Sequence, residues 1–324
     1  MSPLRVWRDG IRRVVSAPGI LAGVWLATTL VSLPLTLAIR AEISGHLGRS
    51  LAADAAARGM NYEWMQEFTG QATGLGTTLR PTIVGFAGVL DNLSAFMDNV
   101  QRPSAVAAAS GVFVLLWVFL SGGIIDRYAR DQATRASGFL SACGAYFFRL
   151  FRLAIVTAIV YGLLFGALQP WLFTSLYPQL IHGVEVERTA FVIRAGLYLV
   201  FALLLAAANI VFDYAKVRAV VEDRRSMLVA LLASWRFIRN NTAGAIGVYL
   251  TNVVLFAATL AAYAFIAPSG GGIGVMVWAA FVIGQAYIAG RLCVRLLFWA
   301  SETALVQNRL GRGPERAALR MGGH

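Results

Sequence analysis

Two aspartates and one arginine occupy positions at which a charged side chain could form a site in this largely apolar sequence. Asp126 and Asp213 each lie where a long apolar run ends, and Arg194 lies at the start of another. An ionisable group at membrane depth is costly and commonly takes part in binding or transport. We treat these three residues as a possible intramembrane polar site.

A structural role is the competing interpretation of the same three residues. An arginine or a lysine follows each aspartate within one helical turn, so a local ion pair could fix the end of each span. Arg194 could extend to the external surface, because a long side chain can keep its charge in water. It could also pair with Glu185 or Glu187 in the preceding loop. In this interpretation the three charges carry no chemistry.

Four arginines lie in two connectors of similar layout, "IIDRYARDQATRASGFLSACGAYFFRLFRL" at 124–153 and "VFDYAKVRAVVEDRRSMLVALLASWRFIRN" at 211–240. An offset of 87 residues matches the two aspartates and two arginine pairs: Arg149 with Arg236, and Arg152 with Arg239. A basic amphipathic helix typically lies at the headgroup level of a membrane. We therefore predict that these four arginines contact lipid headgroups or lie at the interface.

The N-terminus looks like a third, partial copy of the connector. Its apolar residues recur at the spacing of one helical face, as do those of the second connector. The two stripes are Leu4, Trp7, Ile11 and Val14, and Met227, Leu231, Trp235 and Ile238. We predict three units, each with an interfacial helix, a span, an external loop and a returning span. The competing explanation is chance similarity among short basic loops.

Composition places the chain among integral membrane proteins. It is 58% hydrophobic and 14% charged, whereas soluble domains are about a quarter charged. The 28 Lys and Arg residues outnumber the 16 Asp and Glu residues. Cytoplasmic loops retain basic residues and anionic lipids attract them. We therefore expect membrane lipids as partners and no nucleic acid.

Six segments are long enough to cross a membrane, which requires about 20 apolar residues. Uncharged runs cover 14–39, 104–125, 153–184, 195–212 and 240–290, and "APSGGG" at 267–272 divides the last run into two spans. We predict an all-α integral membrane fold with six transmembrane helices, in repeated helix-hairpin units with cytoplasmic interfacial helices. One membrane domain covers 1–308, and a basic cytoplasmic tail covers 309–324.

The arginines also predict the orientation of the spans. They cluster before the first span, in the second and fourth loops and after the last span, and the loops of opposite parity have few. Basic residues in short loops remain in the cytoplasm. We predict a multi-pass protein of the bacterial plasma (inner) membrane with both termini in the cytoplasm.

The external loop, 40–103, is inserted between the first two spans. It contains a second amphipathic pattern over 83–100, with the apolar positions Ile83, Phe86, Leu90, Leu93, Met97 and Val100. Such a helix either packs on the chain's own spans as a lid, lies on the outer membrane surface or docks a protein partner.

Residues for catalysis or metal binding are scarce. The sequence has three histidines and two cysteines, without HExxH, GxSxG, P-loop or paired cysteine ligands. We expect no metal, no cofactor and no catalytic residues, so a non-enzymatic role is favoured.

The connectors resemble those of bacterial six-span membrane families of undefined function. The nearest is the membrane domain fused to some glycerophosphodiester phosphodiesterases. The residues that carry the resemblance are the exits "IIDRYARDQ" and "VFDYAKVRAVVED", followed by basic segments ending in "FFRLFR" and "SWRFIR". It covers 105–308. We expect no soluble catalytic domain, so the resemblance implies an architecture and contact with lipid headgroups, without the phosphodiesterase reaction.

Three functions fit these observations. The first is handling or transport of a lipid-like or small amphipathic molecule. The second is a membrane scaffold or assembly subunit that docks a partner through the 83–100 helix. The third is a permease subunit driven by a separate ATPase.

Overall fold

The computed structural model describes residues 3–56, 61–79, 86–101, 103–267 and 275–311 of the 324-residue chain. This part of the chain forms α-helices without any strand. In chain order they are α1 (Pro3–Val15), α2 (Pro18–Leu47), α3 (Ala53–Ala56), α4 (Tyr62–Gln71), α5 (Phe86–Met97), α6 (Ser104–Arg130), α7 (Ala136–Leu163), α8 (Tyr177–Ile181), α9 (Glu187–Val221), α10 (Met227–Asn240), α11 (Thr242–Ile266) and α12 (Val275–Leu310).

Six helical segments are long and apolar enough to cross a membrane, which confirms the predicted number of spans. They are α2, α6, α9, α11, α12 and the continuous stretch Ala136–Ile181. Each exceeds the roughly 20 residues that a hydrocarbon core requires. The predicted turn at 267–272 falls, from 268 onward, outside the described residues, as does the basic tail from 312 onward.

The third span is irregular around its prolines. Between α7 and α8 the helix widens into two π-helical stretches, Leu164–Leu168 and Trp171–Leu176. Pro170 lies between them, and Pro178 is the second residue of α8. Proline has no backbone N–H, so it interrupts the i to i−4 ladder and favours such local changes of pitch.

The structure divides into two compact units. Unit 1 comprises, as far as it is described, Met1–Ser16, Val118–Thr251 and Leu297–His324, and unit 2 comprises Ala17–Trp117 and Asn252–Leu296. Helices α6, α11 and α12 contribute residues to both units. The assignment of 1–308 to a single membrane domain stays a prediction.

The last part of α12 forms the centre of unit 1. No residue from Trp299 to Val306 is more than 4% exposed, so every face of this helical segment is covered. Helix α1 packs closely against it, because a Cβ atom on Gly10 would lie only 2.9 Å from Cα of Ser301. A glycine at position 10 therefore permits the close approach of the two helices.

The faces by which α1 and α10 pack differ from the predicted apolar stripes. Helix α1 buries Val6, Gly10, Arg13 and Val14, whereas Leu4 is 60% exposed. Helix α10 buries Met227, Ala230, Ser234 and Phe237, whereas Trp235 is 56% exposed. One residue of each predicted stripe is buried, Val14 in α1 and Met227 in α10, and the remaining stripe residues besides Leu4 and Trp235 are partly buried. Each packed face is therefore rotated from the predicted stripe and overlaps it in part.

The three-unit prediction required a separate amphipathic helix in the first connector, and the structure does not have one there. Helix α7 runs without a break from Ala136 through the basic segment into the span. The other two connectors do break. Pro18 begins α2 after α1 has ended, and Asn241 leaves the helical conformation between α10 and α11. The stretch from 136 to 163 contains no proline that would end the helix.

The external loop packs partly on its own unit. Trp64, Met65 and Phe68 of α4 form a buried cluster against Ile43 and Leu47 of α2. In α5, by contrast, Leu90 and Leu93 are about half exposed, at 46% and 51%. The amphipathic helix predicted over 83–100 is observed over 86–97, and Ile83 lies outside the described residues.

Candidate functional site

Unit 2 contains a cavity of about 320 Å³ between α2, α6 and α12. This volume lies at the small end of the range for ligand pockets. Most of its wall is apolar or bears small hydroxyl groups. The lining residues are Thr28, Thr29, Val31, Ser32, Leu35, Val106, Ala109, Ser110, Phe113, Ile288, Arg291 and Leu292.

The hydroxyl groups of the cavity are already hydrogen-bonded within their own helices. Thr28 and Thr29 donate to the carbonyl oxygen of Trp25, each at 2.9 Å, and Ser110 donates to Val106 at 2.8 Å. Such bonds satisfy the donors, while each hydroxyl oxygen keeps the capacity to accept a hydrogen bond. The wall can therefore accommodate an apolar chain and also accept hydrogen bonds.

Arg291 is the one charged residue among the cavity's described lining. Its side chain is exposed, and within the described residues its guanidinium has no hydrogen-bond or ion-pair partner. Arg295, one turn further along α12, instead lies over the ring of Trp117 at 4.0 Å from the centroid. The guanidinium of Arg291 is therefore available to an anionic group.

The local sequence accounts for the shape of this cavity. Helix α6 begins with the run "SAVAAASG", whose small side chains leave space beside the helix. Pro34 lies inside α2, where it removes one backbone hydrogen bond and favours a bend. Nearby, Nε1 of Trp25 donates to Oε1 of Gln285 at 3.0 Å and links α2 to α12.

Unit 1 contains a group of buried and partly buried charged side chains at the end of α9 and in α12. Nζ of Lys216 lies 2.8 Å from Oδ1 of Asp213, and Nε1 of Trp299 donates to the same oxygen at 3.3 Å. The ammonium group also lies 5.7 Å from the centroid of the Trp299 ring. Asp213 is thus held by an ion pair and by an indole N–H.

Glu302 is the unexpected member of this group. It is 0% exposed, and neither of its carboxylate oxygens has a hydrogen-bond partner among the residues that the structure describes. The charged groups that act on it are Asp213 and Lys216. Sequence reasoning assigned Glu302 no role, although it is the sole acid in the run "LLFWASETALV". An acid within a helix that is apolar on all sides signals burial.

The two aspartates singled out from the sequence each pair with a cation of their own helix. Asp126 accepts from Nε of Arg130 at 2.9 Å, and Asp213 pairs with Lys216. These contacts agree with the competing interpretation of local ion pairs. Arg194 lies over the rings of Tyr177 and Tyr198, each at 5.8 Å from the centroid. A polar site formed by these three residues stays a prediction.

The four connector arginines have different environments. Arg149 pairs with Asp223, whereas Arg152 and Arg239 are exposed. Arg236 lines a cavity beside α10 together with Arg218. In the described part of the chain no group of three or more His, Cys, Asp or Glu side chains could hold a metal ion.

The fold defines the class of this chain: it is an all-α, multi-pass integral membrane protein with six spans. No family model, no curated protein and no solved structure matches it. The resemblance of 105–308 to the membrane domain fused to glycerophosphodiester phosphodiesterases stays a prediction.

Proposed function

We propose that this protein binds and handles a lipid-like or small amphipathic molecule of the membrane, without a catalytic step. The observation that supports this function is the cavity between α2, α6 and α12. It combines an apolar wall with the guanidinium of Arg291, which has no partner among the described residues. An amphipathic anion has the same two parts, an apolar chain and a charged head.

Physical chemistry favours an anion as the occupant of this site. An arginine within a membrane helix is expensive and usually faces a partner or a water-filled cavity. The described residues supply Arg291 with no carboxylate, so a ligand can provide the counter-charge. A carboxylate or phosphate would accept two parallel hydrogen bonds from the guanidinium.

The cavity can be tested by filling it. The purified full chain in detergent is titrated with a long-chain fatty acid whose fluorescence rises in apolar surroundings. Ala109→Leu places a larger side chain in the cavity, and we expect it to weaken binding at least about tenfold. Ala108→Leu is the matched control, because Ala108 is exposed and does not line the cavity. Equal binding by both variants would refute the proposal.

The role of the charge needs a separate comparison. Arg291→Gln should weaken binding of the fatty acid anion and leave binding of the corresponding uncharged alcohol unchanged. Arg135→Gln, at an exposed arginine outside the cavity, serves as the control. If Arg291→Gln affected the anion and the alcohol equally, the guanidinium would have no role in recognising the head group.

A scaffold role is a second candidate, favoured by the exposed apolar face of α5. Leu90, Leu93 and Phe96 of α5, and Val100 shortly after its end, are between 46% and 51% exposed. Photo-crosslinking from Leu93 in cells should then capture one specific protein, and capture of lipid alone would refute this candidate. A permease driven by a separate ATPase is a third hypothesis, for which an ATPase should co-purify with the full chain.

We propose the bacterial plasma membrane as the location, with both termini in the cytoplasm, since basic residues of short loops are retained there. A fluorescent protein fused to the C-terminus should fluoresce, because it folds in the cytoplasm. Activity of a C-terminal alkaline phosphatase fusion would contradict this orientation.

A further inference from the structure

A second cavity, of about 550 Å³, lies in unit 1 beside α10. Its wall brings together three guanidinium groups and two carboxamide groups. They come from the end of α9, the loop that follows it, α10 and the residue directly after α10. These polar residues are Arg218, Arg224, Arg236, Asn240 and Asn241. No acid is among the described lining residues, and such a concentration of donors is typical of an anion site.

Two of the arginines are held in place by one carboxylate. Nε of Arg218 lies 2.5 Å from Oε1 of Glu222, and Nε of Arg224 binds the other oxygen of the same residue. Arg218 also donates through Nη1 to the carbonyl oxygen of Ala233, and its guanidinium lies 5.6 Å from the centroid of Phe237. Glu222 thus fixes both arginines and balances one of their two charges.

The third arginine leaves the cavity positive. Arg236 is exposed, and its guanidinium has no hydrogen-bond or ion-pair partner within the described part of the chain. Asn241 uses its Nδ2 to donate to the carbonyl oxygen of Phe237 at 3.1 Å. The side chain of Asn240 is exposed at the same wall and makes no hydrogen bond to another described residue. Guanidinium and amide N–H donors are therefore available.

We infer that this cavity binds a phosphate group, carried either by a phospholipid or by free inorganic phosphate. A phosphate group offers several strong acceptor oxygens and up to two negative charges, which suits donors that arrive from different elements. The guanidinium fork binds phosphate through two parallel hydrogen bonds. The cavity is also large enough for a headgroup, since its volume is typical of ligand pockets.

The outer face of α10 adds an apolar surface next to these donors. Leu232 lines the cavity and is 59% exposed, and Leu228 and Trp235 are exposed at 65% and 56%. Acyl chains of a phospholipid could lie along this face while the phosphate enters the cavity. The site is independent of the cavity lined by Arg291, with which it shares no residue.

Two arginines of α10 provide a matched test. Arg236 lines the cavity and Arg239 does not, yet both are exposed and lie three residues apart. The full chain is incorporated into nanodiscs of phosphatidylcholine with or without phosphatidylglycerol, and retained lipid is counted by native mass spectrometry. In parallel, inorganic phosphate is titrated against the detergent-solubilised protein, with chloride at equal ionic strength as the control.

Arg236→Gln should weaken phosphatidylglycerol or phosphate binding about tenfold or more, and Arg239→Gln should change it by less than about threefold. If Arg236→Gln weakens only the binding of phosphatidylglycerol, the ligand of the cavity is a lipid. If it weakens the binding of inorganic phosphate as well, the cavity binds the free anion. Equal loss in both variants, equal competition by chloride, or no binding by the parent protein would overturn the inference. Arg291→Gln should leave this binding intact, so the result is separate from that of the proposed function.

Discussion

Arg12 and Arg13 are adjacent arginines whose substitution should have very different effects on stability. The side chain of Arg13 is 10% exposed, and that of Arg12 is 74% exposed. Arg13 donates to the carbonyl oxygen of Tyr128 at 2.8 Å, to Gln307 at 2.7 Å and to Asp9 at 3.0 Å. It therefore joins α1 to the ends of α6 and α12 within unit 1. Arg12 makes a single exposed ion pair with Asp131 at 3.0 Å.

These contacts set the size of the expected difference. Removing one partner of a buried charged network costs about 3–5 kcal/mol, and Arg13→Met should fall near the lower value because Asp9 is 31% exposed and can be hydrated. The ion pair of Arg12 is exposed, so Arg12→Met should cost at most about 1 kcal/mol. Methionine and arginine have similar helix propensities, so neither change alters α1 by itself.

The measurement is the free energy of unfolding in mixed micelles titrated with dodecyl sulfate. Unfolding is followed by maleimide labelling of Cys143, which is 0% exposed, in a Cys293→Ser background. Equal costs for the two variants, or a cost below about 1 kcal/mol for Arg13→Met, would refute this account of how α1 is held.

Three further predictions use the same unfolding measurement or proteolysis. Gly10→Leu should lower the free energy of unfolding by about 1–3 kcal/mol, because the new side chain would meet Ser301. Gly19→Leu should have no such effect, because nothing lies within 4 Å of its Cβ position. Equal losses would contradict the packing of α1 on α12. Trp64→Ala should speed proteolysis of the 40–103 loop, because it removes the ring that packs on α2. Tyr62→Ala, at a residue that is 68% exposed, should have little effect. Unchanged resistance to proteolysis in Trp64→Ala would count against the α4 cluster. Glu302→Leu should leave the free energy of unfolding unchanged or raise it by up to about 4 kcal/mol, because it removes a buried carboxylate that has no hydrogen bond among the described residues. A clear decrease in the free energy of unfolding would show that Glu302 is paired.

The local ion pairs of the two aspartates were one of the interpretations of the sequence, because such pairs need no tertiary contact. Asp126 with Arg130 and Asp213 with Lys216 are four and three residues apart, which is the spacing of neighbours on a helix surface. The contact of Trp299 with Asp213 and the burial of Glu302 beside them could not be predicted in this way. They depend on which face of α12 meets α9.

Helices α1 and α10 show that an apolar stripe leaves the packed face of a helix ambiguous. The stripes of α1 and α10 predicted helices correctly, and Val14 and Met227 of these stripes are buried. The packed faces also include the small residues Gly10, Ala230 and Ser234, which lie outside the stripes. Between helices in a membrane, small residues allow close packing, while large apolar side chains can face lipid. A hydrophobic stripe therefore identifies a helix at an interface more reliably than it identifies the side that faces the protein.

The sequence by itself determined the six spans, because a membrane helix must satisfy its backbone hydrogen bonds within its own segment and needs a sufficient apolar length. Both properties are local. Only the tertiary structure decided that Arg13 is buried and Arg12 exposed, that Arg291 lines a cavity, and that Arg236 but not Arg239 joins a basic pocket. Burial and unpaired charge are set by neighbouring helices, and identical residue types at adjacent positions give no indication of which neighbours they will have.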